Sequence, residues 1–128
     1  MCSWRCVVER RSVGQSGEDA AVAHLVARGW QIVERNWRCP VGEVDVIALT
    51  PEPDPVVVFC EVKCRTGLGY GDPLEAITYA KQMKLRQLAL TWLSNQEQGV
   101  ARFRIDAIGV LLRRGASPLV THLQGIGT

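Results

Sequence analysis

Two short apolar segments contain three carboxylates that could bind a metal ion and one lysine that could act on a charged substrate. Residues 42–48 read GEVDVIA and residues 58–65 read VFCEVKCR, so each segment places acids among β-branched and apolar residues. The stretch between them, TPEPDP at residues 50–55, is dense in proline and cannot continue a sheet, which predicts a turn. The two segments are therefore predicted to form a hairpin.

In an antiparallel register symmetric about this turn, Asp45 lies opposite Glu61 and Glu43 lies opposite Lys63. Two ionised carboxylates whose Cβ atoms are about 5 Å apart repel, so the pair needs a compensating cation or a raised pKa. Lys63 can supply one positive charge and a divalent metal the rest; oxygen ligands with few histidines favour Mg²⁺ or Mn²⁺ over zinc. The alternative is an exposed strand end with ordinary surface ion pairs, such as Glu43 with Lys63.

A third acid, Glu18, lies on the first predicted helix at spacings of four, seven and eleven from Val22, Leu25 and Gly29. These spacings place Glu18 at the N-terminal end of an apolar stripe. If that stripe packs on the sheet, Glu18 lies on the side where Asp45 and Glu61 could converge. The alternative is a first-turn glutamate that is stabilised by the helix dipole.

Helix-capping residues and the alternation of apolar residues predict the helix and strands that position these acids. Ser16 to Asp19 fit a capping pattern that starts the first helix, which Gly29 can end, with Val22, Leu25 and Val26 as its apolar residues. Strands are predicted over residues 30–37, 43–49 and 56–65.

A second helix is predicted from the Asp72-Pro73 signature to Asn95. Its predicted core stripe consists of Ile77, Leu85, Leu88 and Trp92. Further strands are predicted over residues 103–112 and 119–123. The order predicts an α/β fold in which helices flank a mixed central sheet of four to five strands.

The length of 128 residues fits one domain, which we assign to residues 16–128, with residues 1–15 as a flexible N-terminal tail. The formal charge of +2 is too small to identify a nucleic-acid partner by itself. Five cysteines without a CxxC motif, together with two histidines, argue against a disulfide scaffold or a zinc finger. Cys60 and Cys64 should instead fill the core from one side of a strand. No apolar stretch approaches a membrane span, so we expect a cytoplasmic protein without a membrane partner.

Five segments together resemble the bacterial YraN family. They are Gly17-Glu18, GEVDVIA at 42–48, VFCEVKCR at 58–65, KQMK at 81–84 and RFRID at 102–106. That family looks like a member of the restriction-endonuclease-like nucleases and is close in pattern to archaeal Holliday-junction resolvases. The resemblance covers about residues 14–110, and it implies a restriction-endonuclease-like core.

The resemblance implies a D-(x)n-E-x-K nuclease site formed by Asp45, Glu61 and Lys63, with Glu18 matching the helix acid of the resolvase branch. Asp45, Glu61 and Glu18 would bind Mg²⁺ or Mn²⁺, and Lys63 would orient the nucleophile or stabilise negative charge. The implied function is metal-dependent phosphodiester hydrolysis on DNA, with branched or repair intermediates as candidate substrates. Two alternatives stay open: a non-catalytic nucleic-acid-binding module with a retained nuclease fold, and an interaction protein with a structural acidic cluster.

Three basic residues are candidates for nucleic-acid binding: Arg65, Lys81 and Lys84. Arg65 follows the motif on its own strand face, and the two lysines lie near the edge of the core stripe of the second helix. Long basic side chains that cover apolar surface are the alternative for the lysines. Cutting both strands of a duplex usually requires two active sites, which a homodimer would supply, although no interface can be named from the sequence.

Overall fold

The computed structural model describes residues 13–66, 77–97 and 102–126 of the chain. The predicted start of the second helix at Asp72-Pro73 and residues 1–12 of the predicted tail lie outside these residues. The described helices and strands are α1 (Val13–Ala27), β1 (Gln31–Cys39), β2 (Gly42–Leu49), β3 (Val57–Thr66), α2 (Tyr79–Ser94), β4 (Phe103–Leu112) and β5 (Leu119–Leu123).

The five strands form one mixed sheet in the order β1-β2-β3-β4-β5. β3 and β4 are parallel, and the other neighbouring pairs are antiparallel. Parallel neighbours need a crossover connection, and α2 lies within the connection between β3 and β4. The predicted α/β class, with helices flanking a mixed sheet, is confirmed.

Helix α1 packs on one face of the sheet, where alternating residues of β2, β3 and β4 face it. The buried cluster there includes Ala21, Leu25, Val46, Val58 and Ile108. Cys60 belongs to this cluster, and Cys64 packs against it, so both cysteines fill the core from one strand face as predicted.

Helix α2 covers the opposite face, where Leu88, Ala89 and Trp92 bury against β2 and β3. Trp92 meets Phe59 edge-on, with the ring centroids 5.6 Å apart. Leu85, Leu88 and Trp92 are buried, as the core stripe predicts. Within the described part of the chain, no helix is both long and apolar enough to cross a membrane.

The end of α1 agrees with prediction, and its start does not. Gly29 has φ of +87°, and the N–H groups of Gly29 and Trp30 donate to the carbonyls of Val26 and Leu25 at 3.0 and 3.1 Å. This pattern is a Schellman C-cap. The helix is already formed at Val13, so Ser16 lies inside it and the predicted capping role is wrong.

The buried stripe of α1 also differs from the predicted one. Gly17, Glu18, Ala21 and Leu25 are buried, whereas Val26 is 54% exposed. Gly17 lies against Cys64 of β3, and Ala21 belongs to the buried cluster on the same sheet face. Because the side of α1 with these small residues packs on the sheet, Val26 is left on the exposed side.

Helix α2 begins at Tyr79, later than the predicted start. Thr78 is extended and caps the helix, because its hydroxyl accepts a hydrogen bond from the main-chain N–H of Lys81 at 3.2 Å. Ile77 thus precedes the helix and is half-buried, so its predicted place in the helical core stripe is wrong.

Candidate active site at the open end of the β2–β3 hairpin

The hairpin of β2 and β3 has the predicted register near the turn. The paired residues do not extend to the predicted pairs Asp45–Glu61 and Glu43–Lys63. Leu49 pairs with Val57 and Ile47 pairs with Phe59. The pairing continues to Val46 and Cys60. Beyond that pair, the main-chain N–H of Val62 donates to the side-chain Oδ2 of Asp45 at 2.8 Å. An acid side chain therefore joins the two strands at their open end.

The alternation of side chains along β2 is interrupted at Asp45. Val44 and Ile47 belong to the cluster beneath α2, although they are three residues apart, whereas Val46 belongs to the cluster beneath α1. On β1, Asn36 lies between the residues that pair with Val44 and Val46, and it has φ of +53°. Asparagine tolerates this left-handed conformation better than most residues. Strict two-residue periodicity therefore does not describe β2 at the candidate site.

Asp45 and Glu61 line one cavity of about 290 Å³ between the hairpin and α2. The helix contributes Lys81, Lys84, Leu85 and Leu88 to its walls, and β2 also contributes Gly42 and Glu43. The structure thus brings the two predicted strand acids together with two of the predicted basic residues.

Glu61 is the most enclosed charged group of this cavity, with 6% of its surface exposed. Its Oε1 lies 3.2 Å from Nζ of Lys81 and 3.5 Å from Nζ of Lys63. A buried carboxylate requires such partners because burial removes its hydration. Glu43 pairs with Arg38 instead of with Lys63, because Oε2 of Glu43 lies 3.1 Å from Nε of Arg38 at the surface.

The same surroundings shift the pKa of Asp45. Burial raises the pKa of Asp45 to about 7, the negative charge of Glu61 adds to the rise, and the hydrogen bond from Val62 opposes it. Glu18 and Glu43 raise this pKa further. The neutral form of the Asp45 carboxyl is therefore favoured more than it is in water. The charge of Glu61 raises the pKa of Lys81, which keeps that ammonium protonated.

Glu18 is buried but is held by neighbours on β1. Its Oε1 accepts hydrogen bonds from Nε of Arg35 and Nδ2 of Asn36, both at 3.0 Å. Arg35 also lies 2.6 Å from Oδ1 of Asp19. Glu18 does not contribute to the walls of the cavity that contains Asp45 and Glu61. The part that Arg35 and Asn36 play in holding Glu18 had no signal in the sequence, because neither residue lies in a motif.

The close approach of α1 to β3 depends on Gly17. A Cβ atom at this position would lie 2.5 Å from both Cβ and Sγ of Cys64. Side chains larger than hydrogen therefore do not fit without a shift of the helix. Gly17 sets the distance between Glu18 and the sheet.

Of the three predicted metal ligands, Asp45 and Glu61 lie at one cavity and Glu18 does not line it. In residues 13–66, 77–97 and 102–126, no three histidine, cysteine or acidic groups are arranged to hold a metal. Mg²⁺ commonly keeps several waters and binds through only one or two carboxylates. The carboxylate oxygens of Asp45 and Glu61 at one cavity suit this type of Mg²⁺ coordination. The role of Glu18 as a third ligand stays a prediction.

The three predicted nucleic-acid-binding residues do not all lie at the cavity. Lys81 and Lys84 face the cavity, and α2 also carries Arg86 but no acidic residue. Arg65 is half-buried, and its Nη1 donates to the carbonyl of Cys64 at 3.0 Å. Arg65 is therefore held along β3 and does not line this cavity.

A second buried charge cluster lies on the face covered by α1, and the sequence analysis missed it. Asp106 is fully buried and accepts hydrogen bonds from Arg104 at 2.8 and 3.0 Å, from Nε2 of His122 at 2.8 Å and from the N–H of Gly125 at 2.9 Å. Burial acts to raise the pKa of Asp106, but the bonds from His122 and Arg104 outweigh it and lower that pKa. The cluster joins β4 to β5 and to the chain beyond β5. The two-residue spacing of Arg104 and Asp106 on one strand was its only signal.

The fold and the cavity define a mixed α/β domain in which two strand carboxylates meet lysines from a strand and a helix. This chain belongs to the uncharacterised protein family UPF0102, whose profile matches residues 17–110. The matched range contains Glu18, Asp45, Glu61, Lys63, Arg65, Lys81 and Lys84.

Several curated relatives carry the description UPF0102 protein. The one from Mycobacterium ulcerans (strain Agy99) is 50% identical over 118 residues, which cover 92% of this chain and 96% of the relative. The one from Nocardia farcinica (strain IFM 10152) is 40% identical over 120 residues, which cover 94% and 92%. The resemblance stated from the sequence is confirmed at the level of this family, and the relation to restriction-endonuclease-like proteins stays a prediction.

Proposed function

We propose that this protein is a metal-dependent nuclease that hydrolyses phosphodiester bonds in DNA. The observation that carries the proposal is the shared cavity of Asp45 and Glu61, with Lys81 and Lys84 on its helix wall. The resemblance of these acids and Lys63 to a restriction-endonuclease-like site supports the same chemistry.

The chain would divide the chemical tasks among few residues. Asp45 and Glu61 would hold Mg²⁺ or Mn²⁺, because both metals prefer hard oxygen ligands. Such an ion lowers the pKa of a bound water and neutralises charge on the phosphate. Lys63, whose Nζ lies 3.5 Å from Glu61, would orient the attacking water or stabilise the developing negative charge.

The substrate would be bound by basic groups around the acids. Lys81 and Lys84 face the cavity and would contact the phosphates that flank the scissile bond. Arg65, which lies farther along β3, would contact the DNA backbone. Branched DNA and repair intermediates are the proposed substrates, and a homodimer would supply the two sites needed to cut both strands.

The experiment that tests the proposal compares wild type with two site variants. Supercoiled plasmid and a four-way junction are incubated with each protein in Mg²⁺, in Mn²⁺ and in EDTA. We expect nicking by wild type only with a metal, and loss of nicking in Glu61→Ala and Asp45→Asn. Glu52→Gln is the matched control, because this exposed acid lies on the proline-rich turn outside the cavity.

The same samples separate the two alternatives. DNA retention that falls steeply with salt, without cleavage under either metal, would favour a nucleic-acid-binding module that lacks catalysis. If the protein neither cleaves DNA nor retains it in a salt-dependent way, the result would favour an interaction protein whose acids and lysines form only an ion-pair network.

A further inference from the structure

Glu61 already has two cations at one of the two carboxylate oxygens that could bind a metal ion. Nζ of Lys81 and Nζ of Lys63 both lie within 3.5 Å of the same oxygen, Oε1. Asp45 and Glu61 supply at most two negative charges, which the two ammonium groups balance. A divalent ion at these carboxylates would therefore add two positive charges to a group that has no net negative charge. Its binding is favoured if one ammonium withdraws.

The two lysines differ in their freedom to withdraw. Lys63 lies on the same strand as Glu61, and its side chain is 23% exposed. Lys81 lies in the first turn of α2, and its side chain is 39% exposed. Thr78 caps the helix through the main-chain N–H of Lys81, so the side chain can move without disturbing the helix start. Lys81 is the ammonium that can leave.

We propose that Lys81 is a displaceable counter-ion that competes with the divalent metal for Glu61. In the metal-free protein its ammonium neutralises Glu61. When a metal binds Asp45 and Glu61, the ammonium leaves Glu61 but stays at the cavity that Lys84 also lines, where it binds a phosphate oxygen of the nucleic acid. The inference rests on the proposed function for the metal and the phosphate, and it adds the residue that links the two.

The physical consequence is a coupling between the two ligands. A metal that releases Lys81 makes an additional cation available for phosphate, so the metal strengthens nucleic-acid binding. Linkage then requires that nucleic acid strengthen metal binding by the same factor. In the absence of nucleic acid, Lys81 only opposes the metal.

The test measures Mn²⁺ affinity on the full chain without DNA, by electron paramagnetic resonance of free Mn²⁺. We expect Lys81→Met to bind Mn²⁺ about fivefold tighter or more than wild type, a factor at the lower end of typical coupling between sites. Lys81→Arg keeps the competing charge and should stay within about twofold of wild type, on the same scale. Glu61→Gln should lose the binding, which assigns the measured ion to this cavity.

Lys84→Met is the matched control for the general loss of a positive charge. Lys84 lines the same cavity, but the ion pairs that the structure shows for Glu61 are with Lys63 and Lys81. A smaller effect of Lys84→Met than of Lys81→Met supports direct competition, whereas equal effects would overturn it. Unchanged or weaker Mn²⁺ binding by Lys81→Met also overturns the inference and leaves the proposed metal site standing. If no variant binds Mn²⁺, both the inference and the metal role of the acids are wrong.

Discussion

The main-chain N–H of Val62 donates to Oδ2 of Asp45 at 2.8 Å, and this bond connects β2 to β3 where the regular pairing has ended. A neutral carboxyl can still accept this bond, although a carboxylate accepts it more strongly. Asp45 thus has a structural task that does not require its charge. Its ionisation is opposed by burial and by Glu61, which raise its pKa to about 7.

This relationship predicts an unusual dependence of stability on pH. Because the folded pKa of Asp45 is raised above its ordinary value of 3.8, the folded protein binds the proton more tightly than the unfolded chain does. The stabilising contribution of the protonated carboxyl is therefore full below pH 4 and is lost as the pH rises towards about 7.

Asp45→Asn should remove this dependence, since the amide oxygen can still accept from Val62. Urea unfolding at pH 5 and pH 8 should show the free energy of unfolding of the variant improving relative to wild type at the higher pH. Between pH 5 and the folded pKa of about 7, the gain should approach about 1.4 kcal/mol for each pH unit. A difference between the proteins that is the same at both pH values would contradict the prediction.

Gly17→Ala should destabilise the protein. On an unconstrained helix this substitution stabilises by roughly 0.5–1 kcal/mol, but here the new Cβ would meet Cys64. Overpacking of this kind costs about 1–3 kcal/mol. Chemical denaturation measures the change, and Ala23→Ser on the exposed side of α1 is the control. A more stable Gly17→Ala protein would show that α1 is not held against β3 by this contact.

Asp106→Asn should be among the more damaging single changes outside the cavity. It removes the charge that faces Arg104 and His122, and breaking a buried ion pair typically costs about 3–5 kcal/mol. Asp54→Asn is the matched control, because Asp54 pairs with Arg102 at 3.1 Å but its side chain is 82% exposed. A pair of that kind contributes about 0–1 kcal/mol. Comparable losses in thermal unfolding for the two variants would argue against a structural role for the buried cluster.

Arg35→Met should destabilise the protein more than Arg38→Met. Arg35 pairs with Glu18, whose side chain is 10% exposed, whereas Arg38 pairs with Glu43, whose side chain is 47% exposed. Loss of Arg35 removes one of the two hydrogen-bond donors that the described residues supply to this buried carboxylate, at a cost of about 1–3 kcal/mol. Loss of Arg38 should change the free energy of unfolding by less than about 0.5 kcal/mol, as for most surface substitutions. The ranking is checked by urea unfolding, and the reverse order would count against it.

Much of the fold could be predicted from local pattern. The bounds of β4 and β5 match the prediction, and the register of the β2–β3 hairpin follows from the proline-rich turn between the two strands. Turn chemistry and two-residue alternation act over a few residues, so they can be read without knowledge of distant contacts. The start of α2 could not be read in this way, because Thr78 competes with the Asp72-Pro73 signature as a cap.

Local signals in the sequence are enough to predict the β2–β3 hairpin and to bring Asp45 and Glu61 to its open end. Tertiary packing sets the other contacts of the site, which are Lys81 with Glu61, Arg35 and Asn36 with Glu18, and Val62 with Asp45. These contacts join elements far apart in the chain or depend on a break in strand alternation at Asp45. They arise from how each helix packs on the sheet, which depends on shape, burial and charge summed over many residues.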